Sequence, residues 1–479
     1  MKFTIKRILS IIVLTAVIFT GTTLTRIDYA SATSLPEYIK IGLKYGNSSA
    51  NQYQLVFENG VKLGTGDGNT FIELASFEDI KNITIMLENG YIKVIGNNLA
   101  GQQIWLNENS PTANCIMPFN YDNDGIFSLD GNQYRGGVMF NSLSGSLNVI
   151  NYINLEEYLY GVINGELHRS NPEEALKAQA VAARSYAACK LGTHNSYGFD
   201  LCSTTHCQVY KGFNDEYPET VAAVKDTEGD TVNYMGKPVA TFFYKNSGGY
   251  TQAAEDVWNG EVGYLKAVKD EYCPIYNWTQ SYTFTDLSAK LSSAGYNVGT
   301  ITKVSIIKRN KSGAVDSLEF MGTSGNVVLQ KEKIRSVLGA TTIKSTMFTF
   351  SNAIVLPGSG NNNIENYEPY GVSRYEGAKT LNEKVYVVDR NGISTKTHTQ
   401  DIYVYNGSVK EKVENLQQND NDSQGIAGVE SVSDGNVNFV GSGYGHGVGM
   451  PQDSAVEMAK KGFTYKDILK YYYTDVTID

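Results

Sequence analysis

Basic residues are in short supply in this chain, and cysteines are few. The 479 residues hold 40 Lys and Arg against 50 Asp and Glu, which gives a formal charge of −10. Nucleic acids and anionic lipid surfaces are bound through basic patches, so the charge balance argues against both as partners. The five cysteines are an odd number, which does not fit a fold held together by disulfides alone.

Long apolar runs are missing outside the N-terminus. The apolar run at residues 8–19 is shorter than the roughly 20 residues of a membrane-spanning helix. It lies between a basic start, Lys2 to Arg7, and the small residues at 30–32, an order typical of export signals. We interpret residues 1–32 as a signal peptide, with an uncleaved N-terminal anchor as the alternative. Either way, we expect the rest of the chain outside the cytoplasm, secreted or anchored.

The sequence shows two kinds of periodicity, a strand-like alternation and a helical spacing of apolar residues. Residues 33–110 alternate apolar and polar side chains and carry Asn-Gly pairs at 59–60 and 89–90. This indicates strands and turns in a β-rich accessory module, in which we identify no chemistry. Residues 134–153 predict two more strands joined by a Ser-Gly turn.

Helical spacing begins at Asn154, which opens an N-x-x-E capping pattern. The apolar stripe of this helix leads to Glu166. A second, Ala-rich helix is predicted from a cap at Asn171 to about Leu191. Mixed strands follow, and further helices are predicted at 286–293, 331–338, 452–461 and in the closing YKDILKYYY. The pattern predicts an α+β fold with a helical core and surrounding strands.

Glu166 is the first candidate for chemistry. A carboxylate on the apolar stripe of a helix is desolvated, and desolvation raises its pKa. A Glu with a raised pKa can hold a proton near neutral pH and give it to a leaving oxygen. The alternative is a Glu that faces solvent beyond the last helical turn.

A metal-ligating set is the second candidate, formed by His194, Cys202, His206 and Cys207. Two thiolates and two imidazoles are a common tetrahedral zinc set. The spacing is not that of a zinc finger, and a Cys202–Cys207 disulfide with two incidental histidines is the alternative. A site with four protein ligands is closed, so we expect the zinc to be structural and not catalytic.

A glycine-rich segment is the third candidate. The glycines at 443–449 alternate with other residues, which fits neither a dinucleotide fingerprint nor a P-loop and argues against nucleotide binding. Alternating glycines let the backbone pass close to another chain or to a ligand. His446 lies between them and either contacts a sugar, orients Glu166, or is a buried structural histidine.

Residues 244–258 are the fourth candidate segment. They supply two hydroxyls, a carboxylate and an aromatic ring, at Ser247, Thr251, Glu255 and Trp258. This inventory suits a polysaccharide groove, although the same residues would be unremarkable in a surface loop.

Several sequence blocks, in this order, resemble the SpoIID/LytB domain family. They are LEEYLYGVINGELHRSNPEEALKAQAVAARSYA, QVYKG, NSGGYTQAAEDVW with YLKAV, and GYGHGVGM with the closing DILKYYY. The resemblance implies a SpoIID-like domain in two parts, 111–355 and 436–479. Residues 356–435 have no counterpart, and we interpret them as an insertion or linker with a flexible polar stretch.

The resemblance also implies roles for individual residues. The catalytic Glu of SpoIID-like members corresponds to Glu166. A zinc site of two Cys and two His in a clostridial relative corresponds to Cys202, His206 and Cys207, with His194 as the fourth ligand. Tyr210, in QVYKG, and Gln452, after the glycine-rich block, join His446 and the residues of 244–258 as predicted substrate-binding residues.

We therefore expect a cell-wall protein connected with sporulation or wall turnover. SpoIID-like members are lytic transglycosylases, which cut the bond between N-acetylmuramic acid and N-acetylglucosamine and leave 1,6-anhydromuramoyl ends. Their implied substrate is a peptidoglycan strand stripped of its stem peptides. The alternative is a non-catalytic, glycan-binding activator of an N-acetylmuramoyl-L-alanine amidase, and such an amidase is an expected partner.

Overall fold

The computed structural model of the protein describes residues 35–66, 70–98, 100–108, 114–121, 125–258, 260–352 and 429–479, and five short strands between residues 354 and 412. The predicted export signal at 1–32 and residues 413–425 of the polar stretch at 411–425 lie outside the described residues. No helix within the described residues is long and apolar enough to cross a membrane.

The N-terminal part consists of two sheets that share one hydrophobic cluster. Their strands are β1 (Tyr38–Lys44), β2 (Gln52–Phe57), β3 (Val61–Gly66), β4 (Phe71–Phe77), β5 (Ile80–Glu88), β6 (Tyr91–Asn98), β7 (Gln103–Glu108), β8 (Cys115–Pro118), β9 (Ile126–Leu129), β10 (Asn132–Arg135), β11 (Gly137–Leu143), β12 (Ser146–Asn154) and β13 (Leu201–Cys202). The strand orders are β13-β1-β12-β11-β8-β3-β4 and β10-β9-β2-β5-β6-β7. Strands from both sides of residue 110 therefore share both sheets.

The predicted turns differ in what they connect. Asn89 and Gly90 have φ values of 52° and 82° and join the paired strands β5 and β6. Ser144 and Gly145, at 52° and 78°, join β11 and β12 in the same way. The Asn-Gly pair at 59–60 forms no hairpin, because the strands on either side of it, β2 and β3, lie in different sheets.

Eight α-helices form in the described residues. They are α1 (Leu155–Glu166), α2 (Glu173–Cys189), α3 (Pro218–Lys225), α4 (Ala254–Val257), α5 (Phe284–Ser293), α6 (Glu332–Leu338), α7 (Gln452–Lys460) and α8 (Tyr465–Tyr472). The predicted cap of α1 is confirmed, since the Asn154 side chain accepts a hydrogen bond of 2.9 Å from the Glu156 amide. The Asn171 cap is wrong by one residue: Pro172 precedes the helix, and the Asn171 side chain donates to the His168 carbonyl instead.

The remaining strands form smaller sheets of two to five strands. They are β14 (Val232–Tyr234), β15 (Lys237–Pro238), β16 (Phe243–Tyr244), β17 (Asn277–Thr283), β18 (Ile301–Arg309), β19 (Val315–Gly322), β20 (Gly325–Gln330), β21 (Phe348–Phe350), β22 (Ile354–Leu356), β23 (Tyr386–Asp389), β24 (Gly392–Thr395), β25 (Tyr403–Tyr405), β26 (Lys410–Lys412), β27 (Val429–Val432), β28 (Asn436–Ser442), β29 (Met450–Pro451) and β30 (Thr477–Ile478). Strands β22 and β27 are paired, with Leu356 opposite Val429. The chain therefore leaves this sheet before residue 357 and returns to it after residue 428 at a neighbouring position.

The Ala-rich helix α2 is the centre of the fold. One side, with Ala178 and Val181, belongs to a cluster completed by α7 and α8. The other side, with Ala180 and Ala183, belongs to a cluster shared with α1. Small side chains let helices approach closely on both sides at once. The predicted α+β architecture with a helical core is confirmed.

Arg184 of α2 is fully buried and is the largest such side chain. Its guanidinium group makes two bonds to the Glu156 carboxylate, of 2.7 Å and 2.6 Å. It also donates to the backbone carbonyls of Val224 and Asp230. One cation therefore ties the start of α1 and the end of α3 to the central helix.

Replacement of Arg184 by Met should lower the free energy of unfolding by about 3–5 kcal/mol, because it leaves the Glu156 carboxylate, whose side chain is only 17% exposed, without its counter-ion. The double substitution R184M/E156L should recover part of that loss. Lys266→Met, which removes an exposed ion pair with Glu261, should cost far less, because solvent screens that pair. Urea unfolding followed by circular dichroism measures all three, and an R184M cost no larger than that of K266M would contradict the role given to Arg184.

Candidate functional site

Glu166 is the last residue of α1, and its side chain is half-buried. Its Oε1 accepts a hydrogen bond of 3.2 Å from the backbone amide of Val209. Its Oε2 lies 3.5 Å from the Nε2 donor of Gln452, at the start of α7. Three separate segments of the chain thus meet at one carboxylate.

Burial raises the pKa of Glu166 above its usual value. The hydrogen bonds from Val209 and Gln452, and the charge of Lys211, act in the opposite direction without cancelling the rise. Protonated Glu166 is therefore stabilised relative to a free Glu side chain. This is the state required of a general acid.

The position of Glu166 depends on close packing along α1. Gly161 faces Tyr210 and Gly212, and a Cβ at this position would lie 2.8 Å from the Tyr210 ring and 2.9 Å from the Gly212 carbonyl oxygen. The Lys211 amide donates to the Gly161 carbonyl at 3.0 Å. The strip 208–212 therefore runs directly along α1 and brings the Val209 amide to the carboxylate.

Glu166 lines a cleft of about 480 Å³ between α1 and α7. The other lining residues are Asn164, Gly165, Leu167, His168, Asn171, Lys245, Pro274, Asp453, Val456, Glu457 and Lys460. Two ion pairs lie on its wall, Lys245–Asp453 at 2.6 Å and Lys460–Glu457 at 2.7 Å. The cleft is thus polar and contains charges of both signs.

Sequence reasoning missed most of this wall. The four α7 residues in it stand at positions i, i+3, i+4 and i+7, which is one face of a helix: Asp453, Val456, Glu457 and Lys460. That spacing was visible in the sequence, but nothing in it indicated that this face meets Glu166.

The predicted substrate-binding residues divide into two groups. Gln452 contacts Glu166 directly, as described above. Ser247, Thr251 and Tyr210 are buried, and each is hydrogen-bonded inside the protein: Ser247 Oγ to Asp270 at 2.6 Å, Thr251 Oγ1 from the Val268 amide at 2.7 Å, and Tyr210 OH to Asn151 at 2.8 Å. Within the described residues none of these three lines the cleft.

Glu255 and Trp258 are half-buried and also do not line the cleft in the described structure. The buried Oε2 of Glu255 has no hydrogen-bond partner among the described residues. The Trp258 ring packs on Phe242, with centroids 4.6 Å apart, and on His446 at 5.3 Å. Trp258 therefore lies beside the glycine-rich segment.

The alternating glycines pass very close to neighbouring backbone. Gly443, Gly445, Gly447 and Gly449 all have φ between 81° and 128°. A Cβ on Gly449 would lie 2.1 Å from the Phe242 carbonyl oxygen. The need for positive φ and for close backbone approach explains why these positions are glycine.

His446 is held between rings of Phe242, Tyr244 and Trp258. Its Nδ1 accepts a hydrogen bond of 3.1 Å from the Val448 amide. Burial lowers its pKa to about 4, so the ring is neutral at neutral pH. Within the described structure, its ring does not line the cleft.

The four predicted metal ligands lie together. The donor atoms of His194, Cys202, His206 and Cys207 are all within 4.8 Å of one another. Three of the separations are Cys207 Sγ to His206 Nδ1 at 3.4 Å, Cys207 Sγ to His194 Nε2 at 3.5 Å, and Cys202 Sγ to His206 Nδ1 at 3.7 Å. Ligand atoms bound tetrahedrally to one zinc ion at about 2.0–2.3 Å are roughly 3.3–3.8 Å apart, so these separations fit that ion.

The electrostatics favour a thiolate at only one of the two cysteines, because burial and the neighbouring Cys202 raise the pKa of the Cys207 thiol to about 12. Burial raises the pKa of the Cys202 thiol, but hydrogen bonds from Thr204, Cys207 and His206 outweigh it and lower the pKa to about 6. A thiolate is the form that binds metal. All five cysteines of the chain are free thiols in the structure.

Comparison with known proteins places the Glu166 segment in a family. The family model SpoIID, described as stage II sporulation protein, matches residues 143–234. That match contains α1, α2, the four-residue His and Cys set and the strip 208–212. The chain carries a SpoIID-family domain. The resemblance predicted from the sequence blocks is therefore confirmed.

Relatives extend the similarity beyond the SpoIID domain. An uncharacterised protein of Brachyspira hyodysenteriae is 32% identical over 49% of this chain and 64% of its own length. The amidase enhancer of Bacillus subtilis is 30% identical over 76% of this chain and 46% of its own length. Stage II sporulation protein D of the same organism is 26% identical over 68% of this chain and 74% of its own length. The chain thus spans about half to two thirds of the first two relatives. A domain of unknown function, DUF8618, matches residues 264–371.

Substitution of Gln452 by Leu should raise the pKa of Glu166 further, because the amide that donates to the ionised carboxylate is removed. Carbon-13 NMR titration of the Glu166 carboxyl group measures the change. Gln54→Leu, at an exposed position on β2, is the matched control and should leave the pKa where it is. A lower pKa in Q452L would contradict the contact between the two side chains.

Proposed function

We propose that this protein cleaves the glycan strands of peptidoglycan as a lytic transglycosylase, with Glu166 as its acid and base. The observation that carries the proposal is a half-buried carboxylate with a raised pKa, which lies inside the matched SpoIID segment and lines an open polar cleft. The relative named stage II sporulation protein D supports a role in the cell wall. The protein would then work outside the cytoplasm, which is where its substrate lies.

The proposed reaction needs one carboxyl group. Protonated Glu166 gives its proton to the oxygen that links N-acetylmuramic acid to N-acetylglucosamine, and the bond from that oxygen to C1 breaks. The 6-hydroxyl oxygen of the muramoyl residue bonds to C1, and its proton returns to the Glu166 carboxylate. The product is a 1,6-anhydro ring, and no water is consumed.

The other carboxylates of the cleft support this reaction over hydrolysis. Glycosidases that use water need a second carboxylate as base or nucleophile. Asp453 is paired with Lys245 and accepts a hydrogen bond from Asn246, and Glu457 is paired with Lys460. These contacts engage both carboxylate oxygens of Asp453 and one carboxylate oxygen of Glu457, which a base or nucleophile would need free.

A second function is favoured by a specific comparison. The similarity to the Bacillus subtilis amidase enhancer covers 76% of this chain, more than either of the other two relatives described above. A protein of that kind would bind the same glycan cleft without cutting the strand and would act on a cell-wall amidase as partner. The two functions can be told apart by their products, because only the lytic transglycosylase forms anhydromuramoyl ends.

The metal set supports a structural zinc ion held by His194, Cys202, His206 and Cys207. With four protein ligands there is no open position for substrate, so zinc would serve stability. Cys202 belongs to β13, which pairs with β1 of the N-terminal sheets. The ion would therefore fasten those sheets to the loop after α2.

Replacement of Glu166 by Gln should lower the release of anhydromuramoyl products from peptide-stripped glycan strands by at least about a hundredfold, because general acid–base catalysis contributes roughly 10²–10⁴-fold. Mass spectrometry of the products measures it. Glu457→Gln, in the same cleft, is the matched control and should keep most of the activity.

Two other results would contradict the proposed transglycosylase mechanism. If E166Q releases as many anhydromuramoyl ends as the wild type, Glu166 is not the acid. If the wild type releases none, yet accelerates a purified cell-wall amidase on intact peptidoglycan, the activator function is the correct one.

Chelation of the metal should lower the melting temperature of the protein before it affects any other property, because a closed site contributes to folding. Elemental analysis of the native protein should find one zinc ion per chain. Cys202→Ser should lose the ion, and Cys273→Ser, outside the set, should keep it. A titration of thiols in denaturant that finds two fewer than the cysteine content would favour the Cys202–Cys207 disulfide instead.

A further inference from the structure

The Glu166 cleft borders a second surface that the proposed function has not used. Pro274 lines the cleft, and the next residue, Ile275, has a side chain that is 89% exposed. Beyond it, the Tyr276 ring lies beside the Tyr444 ring, with centroids 6.0 Å apart. The Nζ atom of Lys344 lies 5.1 Å from the Tyr276 ring centroid and 5.6 Å from that of Tyr444. We term Tyr276, Tyr444 and Lys344 the tyrosine–lysine shelf.

The shelf is joined to the cleft through Asn246. Its side-chain amide donates to the Asp453 carboxylate of the cleft and to the Pro274 carbonyl, both at 3.1 Å. Its backbone exchanges two hydrogen bonds with that of Tyr444, of 3.0 Å and 2.8 Å. One residue therefore fixes the shelf against the wall of the cleft, so a polymer bound in the cleft can run on across it.

The charges of the two surfaces differ. The cleft lysines, Lys245 and Lys460, each have a carboxylate partner. Lys344 has no ion pair among the described residues, and its Nζ donates to the Tyr276 hydroxyl at 3.2 Å. In a chain with a formal charge of −10, this cation is available to an anionic group of a ligand, and the aromatic rings beneath it offer an apolar platform.

We propose that the tyrosine–lysine shelf binds a sugar ring that carries a carboxylate. The inference rests on the proposed function, which makes that sugar an N-acetylmuramic acid of the bound strand, next to the bond at Glu166. The tyrosine rings contact the apolar face of the sugar, and Lys344 pairs with its lactyl carboxylate. A stem peptide is attached to that carboxylate through an amide and abolishes its charge. Lys344 thus selects strands from which the peptides have been removed.

The test compares two ligands that differ only at the lactyl group, which is a charged carboxylate in one and a neutral amide in the other. Peptide-stripped glycan strands, and the same strands with their lactyl carboxylates converted to methylamides, are titrated into the E166Q protein by calorimetry. The stripped strands should bind roughly tenfold more tightly, the scale of one hydrogen bond to a charged group. K344Q in the E166Q background should bring this ratio close to one, and K344R should preserve it. Tyr276→Ala should weaken the binding of both ligands.

Lys237→Gln is the matched control, since Lys237 is an exposed lysine on the hairpin formed by β14 and β15, and it should leave the ratio unchanged. Thermal melts establish that each variant is folded. If E166Q binds both ligands equally, or if K344Q keeps the tenfold preference, the shelf does not recognise the carboxylate. If E166Q binds neither ligand, the proposed function itself is wrong, and the two failures are thereby distinguished.

Discussion

A buried ion pair between Arg184 and Glu156 sets the geometry on which the rest of the SpoIID domain depends. Glu156 lies in the first turn of α1, and Glu166 is the last residue of the same helix. At a rise of 1.5 Å per residue, the two carboxylates are about 15 Å apart along the axis. The helix therefore acts as a rigid rod, fixed at one end by the guanidinium group of α2 and presenting its other end to the cleft.

The parts of the fold that follow from local sequence were predictable. The Asn154 cap, the Asn-Gly turn at 89–90 and the Ala-rich α2 each depend on residues a few positions apart. The Asn-Gly pair at 59–60 carries the same local signal, yet it connects strands of different sheets. Its role is decided by pairing with distant strands, because β2 takes β5 and β9 as neighbours rather than β3. Sheet order of this kind has no signature within a short window of sequence.

The candidate site likewise combines features that local sequence predicts with features that depend on distant parts of the chain. The His and Cys set lies within one short stretch, and its four donor atoms do come together. Glu166 was indicated by its own helix, but the wall of the cleft comes from α7, 286 residues away from it at the Gln452 contact. Ser247 and Thr251 have side chains suited to sugars, and the structure turns both inward to hydrogen-bond with Asp270 and the Val268 backbone. Residue type does not determine the direction of a side chain in a loop, so those two could not be placed in advance.

The long separation between Glu166 and Gln452 has a consequence for how the protein matures. Contacts between residues far apart in sequence form late, because closing a long loop is entropically costly. During synthesis, α1 emerges from the ribosome long before α7, and until α7 packs against it Glu166 has neither its cleft nor its amide donor. A partly synthesised chain therefore lacks the assembled cleft, and the Glu166 environment is complete only when the C-terminal helices have folded onto α1.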